Sequence, residues 1–134
     1  MVGLRRPHAV LVPFPAQGHI NPMMRLANKL VEQGFVISFV NTDYNYFRIA
    51  QANKSIANGF DSREGKSHGD IRWLVVSDGL PPTDTRTDIA KLCHVTENII
   101  VSFVDNLIGE MKKQNPQENI SLITDCMAST ALNN

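Results

Sequence analysis

Apolar residues along the chain form short continuous runs that alternate with stretches of helical periodicity. Four β-branched runs, at residues 8–14, 35–41, 71–76 and 120–125, predict strands, because strands covered on both faces by helices are apolar throughout. Between the first two runs, residues 21–34 carry an apolar stripe with an Asn-Pro start and a glycine stop, which predicts a helix. Strand, helix and strand in this order form the βαβ unit of a parallel sheet.

The remaining segments complete an α/β pattern. Residues 44–52 predict a short helix, and residues 88–113 predict a long amphipathic one with apolar positions every three or four residues. Residues 53–70 contain few apolar side chains and predict a mobile surface loop, while "SDGLPP" at residues 77–82 continues no regular element. Residues 126–134 begin another helix. The fold class predicted is α/β, a Rossmann-like parallel sheet with flanking helices.

Charge and composition narrow the partners. Thirteen basic and thirteen acidic residues cancel, so the sequence predicts neither nucleic-acid binding nor attraction to an anionic membrane. No segment approaches the ~18 apolar residues of a membrane span. "MVGLRR" followed by "AVLVPFPA" has the basic and apolar parts of a signal peptide, but prolines interrupt it and no small-x-small cleavage pattern follows. Cys93 and Cys126 form no CxxC pair and fit free thiols in a reducing compartment, so we expect a cytoplasmic protein.

The common phosphate and metal motifs are missing from the sequence. It contains no G-x-G-x-x-G, no P-loop lysine, no H-E-x-x-H and no cluster of metal ligands, so we expect neither a cofactor nor a metal. His68 in the polar loop and His94 beside the apolar stripe of the long helix are more typical of solvated or packing side chains than of ligands.

Candidate chemistry lies where two of the strands end. "PFPAQGHINP", residues 13–22, places His19 after the first strand, and Asp125 ends the fourth. Because ligands bind at the carboxyl ends of parallel strands, we expect the two side chains to lie on one edge, near hydrogen-bond reach. A neutral imidazole takes a proton from a substrate hydroxyl, and a carboxylate on its other nitrogen fixes the tautomer. No serine or cysteine adjoins His19, which favours activation of a substrate hydroxyl.

Plainer interpretations of the same residues stay open. Asp125 at a strand end is typical of a cap for the next helix, and His19 of a polar residue near a helix start. Gly18 either lets a substrate approach the backbone closely or permits a tight turn. The pattern alone leaves the function undecided.

Four segments resemble a known family. "HAVLVPFPAQGHINPMMRLANKL" is similar to the amino-terminal signature of plant family 1 UDP-dependent glycosyltransferases, enzymes with two Rossmann-like halves (the GT-B fold). "ISFVNTDYNYFRI", "VVSDGLPP" and "SLITDCMAS" resemble three further segments of that family, in the same order. The likeness covers nearly the whole chain.

The resemblance implies that residues 1–134 form an incomplete amino-terminal, acceptor-binding domain of a partial GT-B fold. It implies that His19 is the general base for an acceptor hydroxyl and that Asp125 is its acidic partner, while we expect Gln17 and Gly18 to contact substrate. The activated oxygen would attack the anomeric carbon of a UDP-sugar, with glucose as the expected sugar, and displace UDP with inversion and without a metal. The expected acceptors are small hydrophobic phenolic or terpenoid alcohols.

The sequence also departs from the family. "CMASTALNN" lacks the aromatic-alanine pair that follows the aspartate, and the signature that binds the UDP-sugar, which starts with tryptophan, does not occur. Trp73, in the third strand, does not replace it. The resemblance therefore implies that the donor-binding domain is absent and the isolated chain inactive. The alternative is a non-catalytic truncated module that binds a small hydrophobic ligand or a protein partner through the same cleft.

Overall fold

The computed structural model describes residues 6–55 and 70–125, except for the side chains of residues 17 and 52–55. Over these residues a four-stranded sheet has the order β3-β2-β1-β4, and every strand pair is parallel. The strands are β1 His8–Val12, β2 Val36–Thr42, β3 Ile71–Val76 and β4 Ile120–Thr124. The α/β fold with a parallel sheet is thereby confirmed.

Helices connect the strands as the periodicity predicts. α1 Gln17–Glu32 follows β1 and α2 Asp43–Ser55 follows β2. The long amphipathic helix is confirmed as α3 Ile89–Val95 and α4 Val101–Gln114, joined without a break by a π-helical turn, Thr96–Ile100. α2 ends at Ser55, so its last three residues lie in the region that was predicted to be a loop. The start of that loop was therefore placed too early.

The start of α1 differs from the prediction. Asn21 is not its cap and Pro22 is not its first residue: the helix begins at Gln17, after Ala16 with an extended backbone and no side-chain cap. Ile20 is only 2% exposed and packs in the core beneath the sheet, which draws the preceding residues into the helix. Tertiary packing thus outweighs the local start signal.

The end of α1 is the predicted one. Gly34 has φ +96°, and the amide of Phe35 donates to the carbonyl of Leu30 at 3.0 Å. This is a Schellman ending, in which a left-handed residue lets the chain satisfy a carbonyl of the last turn.

Two apolar layers enclose the sheet. α1 packs on one face and the α3–α4 helix on the other, so that alternate strand residues are buried on opposite sides. The first layer contains Ala9, Leu11, Ile20, Met23, Ala27, Ile37, Phe39 and Ile71; the second contains Val10, Val12, Val40, Val95, Ile100, Val104 and Met111. Burial on both faces explains the continuous apolar runs of the two central strands, β1 and β2, whereas β3 and β4 are only partly buried.

Several sequence predictions fall outside the described residues. They are most of the polar loop with His68, the helix after Asp125, and Cys126. Within the described part, no helix is both long enough and apolar enough to cross a membrane.

Candidate functional site

The carboxyl ends of β1 and β4 lie side by side. Val12 pairs with Thr124 in the parallel register, so the residues that follow the two strands emerge at the same edge of the sheet. His19 is the third residue of α1 and Asp125 directly follows β4. The expected placement of His19 and Asp125 on one edge is confirmed.

The two side chains are hydrogen bonded. His19 Nδ1 lies 3.0 Å from Asp125 Oδ2, and the backbone amide of Phe14 donates to the same oxygen at 2.9 Å. The pair is partly accessible: the side chain of His19 is 32% exposed and that of Asp125 is 20% exposed. The helix that Asp125 was alternatively expected to cap lies outside the described residues.

The hydrogen bond to Asp125 determines the tautomer of the neutral His19 ring. An ionised carboxylate only accepts hydrogen bonds, so Nδ1 donates its hydrogen to Asp125 and Nε2 keeps its lone pair. The ring of Phe14 meets the imidazole edge to face, with centroids 5.4 Å apart and planes at 64°. Phe14 therefore supports the imidazole through its ring and the carboxylate through its amide. The arrangement suits an imidazole that accepts a proton at Nε2.

Gly18 does not need to be glycine for its own conformation. It lies in the first turn of α1 without a positive φ, and a Cβ built there would meet nothing within 4 Å. The structure therefore gives no support to the tight-turn interpretation. Gln17 is the first residue of the same helix. Substrate contact by Gln17 and Gly18 stays a prediction.

An open depression of about 300 Å³ adjoins the pair. It lies between the first turns of α1 and the end of β4. Its walls are Gly18, His19, Pro22, Met23, Leu26, Ile123, Thr124 and Asp125. A small apolar molecule in this depression would lie directly beside the imidazole.

Asn45 of α2 holds the turn that carries His19, a contact that sequence reasoning missed. Its Nδ2 donates to the carbonyl of Pro15 at 2.9 Å, and its side chain is almost fully buried. Its backbone amide donates to Thr42 Oγ1 at 3.3 Å. No periodic signal marks Asn45, because it reaches a backbone atom 30 positions earlier in the chain.

Asp78 and Arg86 form a second unpredicted pair, in the segment between β3 and α3. Their side chains are 2% and 6% exposed, and the guanidinium donates to both carboxylate oxygens at 3.0 Å. The segment was predicted to be irregular, which is confirmed, but a polar segment without periodicity gives no indication of which charges it buries.

His8 has the hydrogen-bond order of a hydrolase triad at the opposite edge of the sheet. Its Nδ1 lies 2.8 Å from Glu118 Oε2 and its Nε2 lies 2.8 Å from Ser38 Oγ. Ser38 is completely buried, so no substrate reaches its hydroxyl. The arrangement ties β1 to β2 and to the start of β4, and it is structural.

Other candidate ligands show no clustering. His94 is exposed and bonds to Asn98 of its own helix, and Cys93 is a free thiol. In residues 6–55 and 70–125, no three His, Cys, Asp or Glu side chains are grouped as a metal site would require.

Comparisons with known proteins place these features in a family context. A family model described as the N-terminal domain of glycosyltransferases matches residues 8–68. The 7-deoxyloganetin glucosyltransferase of Gardenia jasminoides is 41% identical over 106 residues, and the (R)-mandelonitrile beta-glucosyltransferase of Prunus dulcis is 39% identical over 109 residues. These matches cover 78% and 79% of the chain but 21% of each relative, so the chain spans about a fifth of their length.

Solved structures share the fold. Arabidopsis thaliana UGT89C1, in its complex with quercetin, matches 96% of the chain and 31% of its own length with a TM-score of 0.63. The sequence identity is 18%, so this likeness concerns the fold alone. It confirms the predicted Rossmann-like part of a GT-B fold.

Proposed function

The chain belongs to the plant family 1 UDP-dependent glycosyltransferases, and from that membership we propose that His19 and Asp125 serve the inverting transfer of a sugar to a small hydrophobic alcohol. The sugar donor is a UDP-sugar, with glucose as the expected sugar, and residues 1–134 form the acceptor-binding domain. The contact that carries the proposal is the 3.0 Å hydrogen bond between His19 Nδ1 and Asp125 Oδ2.

The names of similar proteins support the reaction class. Two relatives are named as glucosyltransferases of 7-deoxyloganetin and (R)-mandelonitrile, and UGT89C1 was solved with quercetin and with UDP-L-rhamnose. 7-Deoxyloganetin, mandelonitrile and quercetin are small molecules, which favours a small acceptor over a polymer. We propose a phenolic or terpenoid alcohol as the acceptor of this chain.

In the proposed transfer, His19 and Asp125 have different roles, which their hydrogen bond supports. His19 Nε2 takes the proton of the acceptor hydroxyl, and the acceptor oxygen forms a bond to the anomeric carbon of the UDP-sugar. The bond between that carbon and the UDP oxygen breaks, and UDP leaves with the electron pair. Asp125 holds the ring in the required tautomer and stabilises the imidazolium that forms. Attack opposite to the leaving group inverts the anomeric centre.

A chimera tests these roles together with a donor-binding half. Residues 1–125 replace the matching segment of the Gardenia jasminoides enzyme, and UDP-glucose-dependent glucoside formation is measured with 7-deoxyloganetin, mandelonitrile and quercetin as acceptors. His19→Ala should lower kcat by about 10²–10⁴-fold, because the general base is lost. Asp125→Ala should also lower kcat severely, since the ring loses its orientation and charge partner.

Asn21→Ala is the matched control. Asn21 is an exposed residue of α1, two positions from the base, and it does not line the depression. The control should transfer glucose at the rate of the unmodified chimera. Near-normal turnover in the His19→Ala variant would refute the assignment of the base, and an unmodified chimera that folds but transfers no sugar would refute the proposed function.

A further inference from the structure

Arg86 belongs to the segment between β3 and α3, residues 77–88. Its side chain is 6% exposed, and its φ of 58° lies in the left-handed region that non-glycine residues rarely adopt. Such a backbone persists only where the surrounding contacts enforce it, and these positions concentrate at functional sites.

All five hydrogen-bond donors of the guanidinium are used. Nε and one Nη2 hydrogen donate to the two oxygens of Asp78, each at 3.0 Å. The Nη1 group donates to the carbonyls of Pro81 and Asp84 at 2.8 Å, and Nη2 also donates to the carbonyl of Leu80 at 3.3 Å. The segment therefore folds around the Arg86 side chain, whose hydrogen bonds hold it together in place of apolar packing. A lysine has three donors without the planar fork and does not reproduce this set.

α2 also contacts Arg86 and its segment. The guanidinium lies over the ring of Tyr44, with its carbon 3.9 Å from the ring centroid. The amide of Asp78 lies 3.4 Å from Asp43 Oδ1, to which it donates. The hydrogen bonds that Arg86 donates to Asp78 raise the pKa of Arg86 above its ordinary value, so the guanidinium stays charged. Arg86 thereby fixes the segment to the helix that follows β2.

The segment reaches the His19–Asp125 pair through Leu80. Leu80 packs against the buried cluster of Phe14 and Leu92. Phe14 in turn donates its amide to Asp125 and places its ring edge to face with His19. The conformation of the segment therefore affects the packing of Phe14, which supports both His19 and Asp125.

Leu80 also separates two mostly apolar cavities. One, of about 520 Å³, lies between Gly79, Leu80 and the helix that runs from α3 into the π-helical turn, where Val95 and Ile99 form part of the wall. The other, of about 430 Å³, lies between Leu80, Arg86 and the exposed Phe47 of α2. Movement of the segment would change the shape of both cavities.

We infer that Arg86 is a positioning residue: it holds Leu80 against the Phe14–Leu92 cluster and so fixes Gly79 and Leu80 as the apolar wall that receives the hydrophobic part of the acceptor alcohol. The inference rests on the proposed function for the identity of the ligand. The positioning itself depends only on contacts within the chain and is measurable without sugar transfer.

Amide exchange and NMR on the 134-residue chain test the positioning. Arg86→Lys keeps the charge but not the fork, and the double variant Asp78→Asn/Arg86→Gln removes both charges, so no buried charge is left alone if the first variant unfolds. Both should exchange the Leu80 and Asp84 amides at least tenfold faster and shift the signals of the Phe14 amide and the His19 ring. Arg48→Lys, an exposed arginine near the same Tyr44 ring, is the matched control and should change none of these signals.

Kinetics in the chimera test the acceptor wall, with quercetin as the probe. The KM for quercetin should rise at least fivefold in both Arg86 variants, while the KM for UDP-glucose stays unchanged, a split that general destabilisation would not produce. Unchanged amide exchange together with unchanged Phe14 and His19 signals would overturn the positioning role; an equal rise of both KM values, or an unchanged quercetin KM, would overturn the acceptor wall. If the unmodified chimera transfers no sugar, the proposed function fails, and a quercetin titration of the 134-residue chain then tests the acceptor wall. NMR shifts of Gly79 and Leu80 that the Arg86 variants weaken would support the wall. Absent shifts would overturn it.

Discussion

The backbone of Arg86 gives a prediction at the scale of a single residue. Arg86→Gly and Arg86→Ala both leave the Asp78 carboxylate buried without its partner, which costs roughly 3–5 kcal/mol of unfolding free energy. Glycine adopts the φ of 58° without the strain that a Cβ causes, so the Gly variant should be more stable than the Ala variant by about 1 kcal/mol. Urea unfolding of the two variants measures the difference, and an Ala variant as stable as the Gly variant would contradict it.

Single residues also show how far the sequence alone can lead. His19 and Asp125 were predictable because the ends of parallel strands meet at one edge, so their meeting follows from topology. Asn45 and Arg86 were not, because Asn45 and three of the five side-chain hydrogen bonds of Arg86 depend on backbone carbonyls that the fold positions. A hydrophobic pattern predicts where strands end, but it contains no information on which polar side chain fills a gap between two turns.

At the scale of elements, the glycines at the two ends of α1 should respond oppositely to alanine. Gly34→Ala places a Cβ at φ +96° and should destabilise the chain by about 1 kcal/mol. Gly18 has a helical backbone and open space around its Cβ position, so Gly18→Ala should be neutral or stabilising by up to about 1 kcal/mol. Urea unfolding of the two variants compares the start of α1 with the turn that ends it. Equal losses of stability would show that Gly18 is required structurally.

Gly18→Ala also separates folding from binding. If the close approach of an acceptor explains this glycine, the variant should raise the acceptor KM in the chimera while the unfolding free energy is unchanged or higher. An unchanged acceptor KM would leave Gly18 without a role in substrate contact. The measurement therefore tests directly whether Gly18 contacts the acceptor.

Elements were predictable in kind more than in extent. The runs of β1 and β2 were recognisable because burial on both faces makes them continuously apolar. The start of α1 was misplaced because Ile20 packs into the core, and such packing does not appear in a cap motif. The π-helical turn at Thr96–Ile100 was not predictable, because it adds one residue to a helical turn without interrupting the apolar stripe. Within this stripe Thr96 Oγ1 donates to the carbonyl of Leu92.

At the scale of the whole molecule, the site depends on the completed sheet. His19 and Asp125 are 106 positions apart, and only the pairing of β4 with β1 brings them together. The pair therefore forms late in any order of assembly that builds local contacts first. The same topology leaves the pair partly accessible at an edge of the sheet.

The last prediction concerns the 134-residue chain by itself, which should neither bind UDP-glucose nor transfer its sugar. Its sequence contains no G-x-G-x-x-G and no P-loop lysine, and the net charge of zero provides no general attraction for a diphosphate. Transfer also requires the acceptor oxygen and the anomeric carbon to be held together, an effect worth ~7–11 kcal/mol of barrier. Calorimetric titration with UDP-glucose should give no binding heat, whereas the chimera, as the control, should bind. Robust glucosylation by the purified 134-residue chain would contradict this expectation, and it would mean that His19 and Asp125 lie beside a donor site formed by these residues.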